Sequence, residues 1–297
     1  MKKISLVSSS SHDDCVLVTG ASGFVGRHLV QKLKDKGESV HVLPRQPEGD
    51  ICHPACFKKL TPLKIKAVYH LAAESYVPDS WIHARRFYEI NVLGTQNVLE
   101  FCREKGAKMI FLSSYIYGNP AYLPIDENHP VSPNNPYSHS KWLAEEMCRF
   151  YVEYYGLSVS ILRPFNIYGP GQKDHFLIPH LLKQMSLGQK MSVHDSRPKR
   201  DYVYVSDFVE ACLAVNRVEN RFGIYNVGSG VSISVKEIIE LIQEIKRQPL
   251  DWEDSHCFRK NEIMDVVASC SLEKSGVWKP LVSFREGLRQ LMTQAPL

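Results

Sequence analysis

Short apolar runs alternate with longer stretches of mixed character along the first half of the chain. Val16-Leu17-Val18, Val40 to Leu43, Ala67 to Leu71, Met109 to Ser113 and Val159 to Leu162 are runs of this kind, rich in β-branched and aromatic residues. Runs this short without a regular polar face predict strands buried on both sides. Between them lie segments with helical spacing. In Val25 to Lys36, the residues Val25, Leu29, Val30 and Leu33 share one face, and Gly37 follows as a stop signal. Helices are also predicted over Phe87 to Glu104 and Ser138 to Tyr155. Strands alternating with helices predict an α/β fold with a doubly wound parallel sheet.

The rhythm changes after Arg163. Pro164, Gly169, Pro170, Gly171 and Pro179 crowd together, and the elements shorten. Helices are predicted over Phe176 to Leu187, Ser206 to Val218, Ser234 to Lys246 and Phe284 to Met292. This divides the chain into a polar lead-in at residues 1–14, a main domain at 15–165 and a smaller portion at 166–297, some of which is free to return to the main sheet.

Composition narrows the function classes. The 297 residues are 44% hydrophobic and 23% charged, with a net charge of +4. That excess is small and gathers in no basic run, so it points to an anionic small molecule rather than nucleic acid. No apolar run approaches the ~20 residues that span a bilayer, so no membrane partner is expected and the expected location is cytoplasmic. The eight cysteines show no disulfide framework, and Cys52-His53-Pro54-Ala55-Cys56 lacks a second ligand pair, so no metal is expected.

Two segments carry chemistry. Val18-Thr19-Gly20-Ala21-Ser22-Gly23-Phe24-Val25-Gly26 joins the first strand to the first helix. Glycines there permit a tight turn and close backbone approach to a pyrophosphate, which the helix N-terminus attracts. After the second strand, a site selective for NAD usually carries an acid. Leu43-Pro44-Arg45 carries none, and Arg45 is placed to meet a 2′-phosphate, which favours NADP(H) with NAD(H) possible. The second segment is Tyr137-Ser138-His139-Ser140-Lys141. Tyr137 and Lys141, four apart, share a helix face. An ammonium about 4 Å from the phenol, at an effective dielectric near 20, would lower its pKa by about three units. Tyr137 is then a proton carrier for the reaction.

The glycine triplet, Ser113 after the fourth strand and the Tyr137/Lys141 pair together resemble the short-chain dehydrogenase/reductase superfamily. Further segments resemble its nucleotide-sugar branch, the NAD-dependent epimerase/dehydratase family. They are Asp50-Ile51, His70-Leu71-Ala72-Ala73, Ser113 to Gly118, Arg163 to Pro170, Arg200 to Val205 and Asn226 to Gly230. The resemblance implies a Rossmann-type sheet and a homodimer paired through the helices near Phe87–Glu104 and Ser138–Tyr155. It implies catalysis by Tyr137, Lys141 and Ser113. It also implies cofactor contacts from Gly20, Ser22, Gly23, Phe24, Val25, Gly26, Asp50, Ile51, Leu71, Ala72, Ala73, Tyr137, Lys141 and Pro164. A nucleotide-diphosphate sugar would meet Glu74, Ser114, Tyr115, Asn166, Arg200, Arg259 and Glu262.

Three reactions compete within that family. Dehydratases carry an acid pair directly after the hydroxyl residue, where this chain has Ser114 and Tyr115. A 4-epimerase is compatible with Ser-x-x-x-Tyr-Gly, yet the missing acid after the second strand weighs against tightly held NAD. A 4-keto-sugar reductase needs only hydride delivery and a proton from Tyr137, and is the favoured reading. A non-catalytic dinucleotide binder is the remaining alternative, and the retained tyrosine and lysine weigh against it.

Overall fold

The computed structural model describes residues 14–44, 48–258 and 262–294. The elements run β1 (Cys15–Thr19), α1 (Phe24–Asp35), β2 (Ser39–Val42), β3 (Ile65–His70), α2 (Val77–Ile82), α3 (Ala84–Tyr88), α4 (Thr95–Lys105), β4 (Lys108–Leu112), α5 (Pro136–Tyr155) and β5 (Val159–Pro164). They continue with β6 (Asn166–Tyr168), α6 (Leu177–Ser186), β7 (Met191–Val193), β8 (Lys199–Tyr204), α7 (Val205–Asn216), β9 (Phe222–Val227), β10 (Ser232–Ser234), α8 (Val235–Lys246), β11 (Trp252–Asp254), α9 (Ser271–Lys274) and α10 (Phe284–Gln294).

The chain divides into two compact units. The first takes in the chain up to Gly118, Pro130–Pro164 and Val209–Tyr225; the second takes in Asn119–His129, Phe165–Phe208 and the chain from Asn226 onward. A six-stranded sheet in the order β2-β1-β3-β4-β5-β9 forms the frame of the first unit. The β1–β2, β1–β3, β3–β4 and β4–β5 pairings are parallel. The order reverses between β1 and β3, which puts the ends of those two strands at the point where open α/β sheets bind ligands. The central strands are buried on both faces: Val16, Leu17, Val68, Met109, Phe111, Val159 and Ile161 are inaccessible. Burial of apolar side chains on this scale is the main stabilising contribution to such a sheet.

Two local features depart from the simple periodic pattern. The helix expected over Phe87–Glu104 is interrupted: a wide π-type turn at Glu89–Gly94 separates α3 from α4. The turn carries Asn91 into the interior, where its amide pairs with the backbone of Glu74 at both N (2.9 Å) and O (3.0 Å). The catalytic-helix candidate α5 begins at Pro136 instead of Ser138, because Asn135 caps it. The Asn135 side chain accepts from Ser138 N at 2.8 Å, and proline at the first helical position needs no partner for an N–H. Tyr137 and Lys141 therefore both lie inside regular helix.

In the second unit, β10-β8-β6 form a three-stranded sheet and β11-β7 a two-stranded one. Its core gathers Tyr168, Leu181, Met191, Tyr202, Tyr204, Ile238, Ile239, Ile242 and Leu288. Ser234 and Glu237 form a reciprocal capping box at the start of α8. Among the described residues, no helix is long and apolar enough to cross a membrane. The cysteines are free thiols, five of them buried. Burial and the nearby Asp50 carboxylate push the Cys52 and Cys56 thiols up to about 12 and about 11, so both stay protonated at neutral pH.

Candidate active site

The first unit builds a cradle from its sheet end. Gly20 follows β1 with φ +71°, and a Cβ there would stand 2.6 Å from Ala72 N. The turn after β1 thus touches the segment after β3, an approach that only glycine allows. Ser22 and Gly23 are exposed at the entrance, Phe24 and Val25 are half-buried, and Gly26 is buried against the turn. Helix α1 has no capping side chain and no acidic residue in its first turn. Its leading N–H groups and positive dipole end are open to an anion. A dinucleotide's pyrophosphate fits this cradle.

Beneath it runs a buried chain of hydrogen bonds. Thr95 Oγ1 donates to Asn91 O (2.6 Å) and therefore accepts from His70 Nε2 (3.0 Å). His70 Nδ1 in turn accepts from Thr19 Oγ1 (2.7 Å), and Thr19 Oγ1 accepts from Ala72 N (3.3 Å). Burial and the neighbouring Lys141 hold His70 well below its usual pKa, so the imidazole is neutral. The chain fixes Leu71, Ala72 and Ala73 at the exit of β3. Leu71 N also donates to Thr19 O (3.2 Å). Asp50 accepts from Cys52 N (3.0 Å) in a tight turn, and buried Ile51 offers its carbonyl to Asn97 Nδ2 (2.8 Å). Pro164 closes buried β5. Arg45 lies outside the described residues.

Tyr137 and Lys141 rise from one face of α5. Lys141 is 2% exposed, and its Nζ stands 4.0 Å from the centroid of the Phe111 ring. The sequence leads one to expect an ammonium acidifying the phenol. The structure instead pushes Tyr137 up to about 12, with burial the dominant cause and Ser114 acting in the opposite sense. Lys141 is lowered to about 7, again by burial, with Cys148 and Glu145 opposing. Loss of solvation dominates both shifts, for a Lys141 that is almost wholly inaccessible and a Tyr137 that stays partly exposed.

Two adjacent serines follow β4. Ser113, the hydroxyl the sequence pairs with Tyr137, donates instead to the buried carboxylate of Glu145. Ser114 Oγ is buried and meets no partner at hydrogen-bonding distance. Both serines lie just past the end of β4, the place where the sequence sets the hydroxyl that works beside Tyr137. The Tyr115 hydroxyl donates to Gly118 O at 2.7 Å. Glu74, clasped through its backbone by Asn91, pairs its carboxylate with Arg86 at 2.6 Å.

In the second unit, Asn166 opens β6 with an exposed side chain, in register with Tyr202 of β8. Arg200 donates to Lys199 O (2.8 Å), to Ile263 O (2.6 Å) and to the Glu262 carboxylate. Glu262 is thus the ion-pair partner of Arg200. Arg259 lies outside the described residues. Sequence reasoning assigned no role to Asp201, whose inaccessible carboxylate accepts from Ser229 N (2.6 Å), Ser229 Oγ (2.7 Å), Gly230 N (2.9 Å) and Ala268 N (3.0 Å). Asn91, Thr95, Glu145 and Arg163 were missed in the same way. Their available signal was a polar residue set among apolar ones, or, for Glu145, its place four residues after Lys141.

Known proteins are similar to this chain in sequence and in fold. The sequence profile of the family described as NAD dependent epimerase/dehydratase matches residues 16–228. The GDP-6-deoxy-D-mannose reductase of Pseudomonas aeruginosa is 34% identical over 291 residues, which take in 94% of this chain and 96% of that protein. The structure of RMD from Pseudomonas aeruginosa complexed with NADPH superposes with a TM-score of 0.84 at 33% identity, covering 95% of this chain and 98% of that one. The UDP-glucose 4-epimerase of Thermotoga maritima, solved with UDP-glucose, gives a TM-score of 0.86 at 28% identity, with 94% and 97% covered. A match of this extent leaves one conclusion: the chain belongs to the NAD dependent epimerase/dehydratase family.

Proposed function

We propose that this protein is a nicotinamide-dependent reductase of a nucleoside-diphosphate 4-keto sugar, using NADP(H) by preference. The observation that carries the reading is the composition around Tyr137. Loss of solvation keeps the Tyr137 phenol protonated, and no carboxylate follows Ser113 or Ser114 in the chain. Elimination of water needs an additional acid and base, and none is supplied there. Reduction needs one proton donor at the carbonyl oxygen, and a phenol held protonated is ready to act as one.

When bound, the nicotinamide supplies the hydride. The residues do the rest. Ser113 meets the sugar's carbonyl oxygen beside Tyr137, Tyr137 passes its proton to that oxygen as it becomes a hydroxyl, and Lys141 holds the ribose and supplies positive charge as the phenolate forms. The open N-terminus of α1 holds the pyrophosphate. In the second unit Asn166 and Arg200 serve the nucleotide's diphosphate, with arginine offering paired donors to its oxygens. Leu43-Pro44 brings no acid toward an adenosine ribose, which supports NADP(H), as does the NADPH held by the Pseudomonas aeruginosa protein. Phe150, Tyr154 and Tyr155 remain exposed on α5, which accords with a homodimer paired through that helix.

One observation favours a second reading, a 4-epimerase retaining NAD: the fold superposes well on an epimerase holding UDP-glucose. The purified protein separates the two. A denatured sample that releases stoichiometric NAD, identified by ultraviolet spectrum and mass, overturns the reductase. A site that takes up added NADPH and consumes it with GDP-4-keto-6-deoxymannose supports it. Tyr137→Phe should lower kcat by ~10²–10⁴-fold, the usual contribution of a general acid, while NADPH still binds. Undiminished turnover removes Tyr137 from the chemistry.

A further inference from the structure

Asn91 and Ser140 meet in the interior of the first unit, both wholly inaccessible and 49 residues apart in the chain. Asn91 Nδ2 donates to Ser140 Oγ at 2.9 Å, and Ser140 Oγ donates its one proton to Tyr137 O at 2.7 Å. The other N–H of the same amide goes to Glu74 O (3.0 Å), and Asn91 Oδ1 accepts from Glu74 N (2.9 Å). Asn91 O accepts from Thr95 Oγ1, the start of the chain that runs through His70 and Thr19 to Ala72 N. Asn91 thus joins α5 to the segment after β3 by two routes, one ending at Glu74 and one at Ala72.

Ser140 lies within the stretch from Tyr137 to Lys141, yet the transfer of hydride and proton leaves it without a role. Its hydroxyl does not serve the helix either. Alanine has the higher helix propensity, and regular helix already gives the Tyr137 carbonyl a bond from Lys141 N. What alanine lacks is an acceptor for Asn91. The stretch leading into the π-type turn also meets the Tyr137 ring, where Phe87 stands edge-on with centroids 6.3 Å apart. One stretch of chain therefore touches Tyr137 at its ring and, through Ser140, at its backbone. We infer that Ser140 is a positioning residue which, through Asn91, fixes the Tyr137–Lys141 turn of α5 against the Ala72–Glu74 edge of the dinucleotide cradle. The inference rests on the proposed function for its kinetic consequence, and the contacts stand without it. A misplaced turn slows the reaction, because the reacting atoms need a near-attack geometry. It leaves dinucleotide affinity largely intact, because the pyrophosphate is held by the N-terminus of α1.

The test compares Ser140→Ala with Ser138→Ala in the full chain. Each removes one buried hydroxyl from the start of α5, but Ser138 Oγ bonds to the cap residue, donating to Asn135 O (3.0 Å) and accepting from Asn135 N (3.3 Å). Turnover is followed with whichever pair the wild type uses, NADPH with GDP-4-keto-6-deoxymannose or NAD with UDP-glucose. Ser140→Ala should lower kcat by about 10-fold or more, with the Kd for the dinucleotide changed by less than about twofold. The primary deuterium isotope effect on kcat should rise, as the transfer of the labelled hydride becomes rate-limiting in place of product release. Ser138→Ala should lower Tm and leave both kcat and the isotope effect unchanged. Unchanged kcat in Ser140→Ala with a lowered Tm marks a merely structural bond and overturns the inference. An equal loss of kcat in Ser138→Ala overturns it too, since any loosening of the helix start would then suffice. A wild type active with neither pair defeats the proposed function alone. Crystal structures of the wild type and Ser140→Ala then decide the positioning. A Tyr137–Lys141 turn displaced from Ala72 by about 0.5 Å or more supports it, and a turn left in place overturns it.

Discussion

Lys141 and Phe111 face one another in the interior of the first unit, with the lysine Nζ 4.0 Å from the ring centroid. The ring's negative face compensates part of the cost of an ammonium removed from water. The remainder shows in the lysine's pKa, lowered from its ordinary 10.5 to about 7. At pH 6 both folded and unfolded chains carry the charge, and the folded one bears the full burial cost. Between about pH 7 and 10.5 the unfolded chain binds the additional proton, so the lysine's contribution to stability rises with pH across that window.

Lys141→Met should therefore stabilise the fold at pH 6, by no more than about 5 kcal/mol, while abolishing turnover. The gain should shrink as pH approaches 10. Urea denaturation at pH 6 and at pH 9.5 measures it, and a gain that does not shrink contradicts a burial cost carried by the ammonium.

Gly20→Ala places a methyl 2.6 Å from Ala72 N at a backbone φ of +71°. A non-glycine residue in that region costs about 1–3 kcal/mol before any clash is relieved. Relief must come from moving the segment after β3 that forms part of the dinucleotide cradle. The expected result is a lowered Tm together with at least a 10-fold rise in the Kd for NADPH, read by fluorescence titration.

Thr95→Val removes the group that both caps Asn91 O and accepts from His70 Nε2. Each partner is buried and would be left unpaired, a loss of about 1–3 kcal/mol for each such group. Chemical denaturation should show this destabilisation. Binding of the dinucleotide should weaken as well, because the same chain reaches Ala72 N through Thr19.

Arg200 and Glu262 are a half-buried ion pair in the second unit. If the guanidinium serves a diphosphate, Arg200→Met raises KM for the nucleotide sugar at least 10-fold and leaves the Kd for NADPH unchanged. Glu262→Gln should act in the opposite direction and lower that KM, since it releases the arginine from a competing anion. Equal effects of both substitutions on NADPH binding would place the pair elsewhere in the mechanism.

The periodic pattern alone carried the frame of the first unit: strands at Val16, Ala67, Met109 and Val159, the helix closed by Gly37, and the glycine turn between β1 and α1. Each rests on local rules, the period of a helix or strand and the conformational freedom of glycine, which neighbouring residues suffice to express. Helical spacing also singled out the Tyr137/Lys141 pair, and the resemblance to a family added the site residues around it.

Tertiary structure decided what depends on residues far apart in the chain. The Ser113 hydroxyl finds its acceptor in Glu145, 32 residues away. The interruption of the helix at Asn91 turns on the backbone of Glu74, and the pKa values of Tyr137 and Lys141 turn on how much water the packed chain excludes. Hydrogen-bond partners and burial are properties of the assembled interior, which the spacing of residues along the chain does not specify.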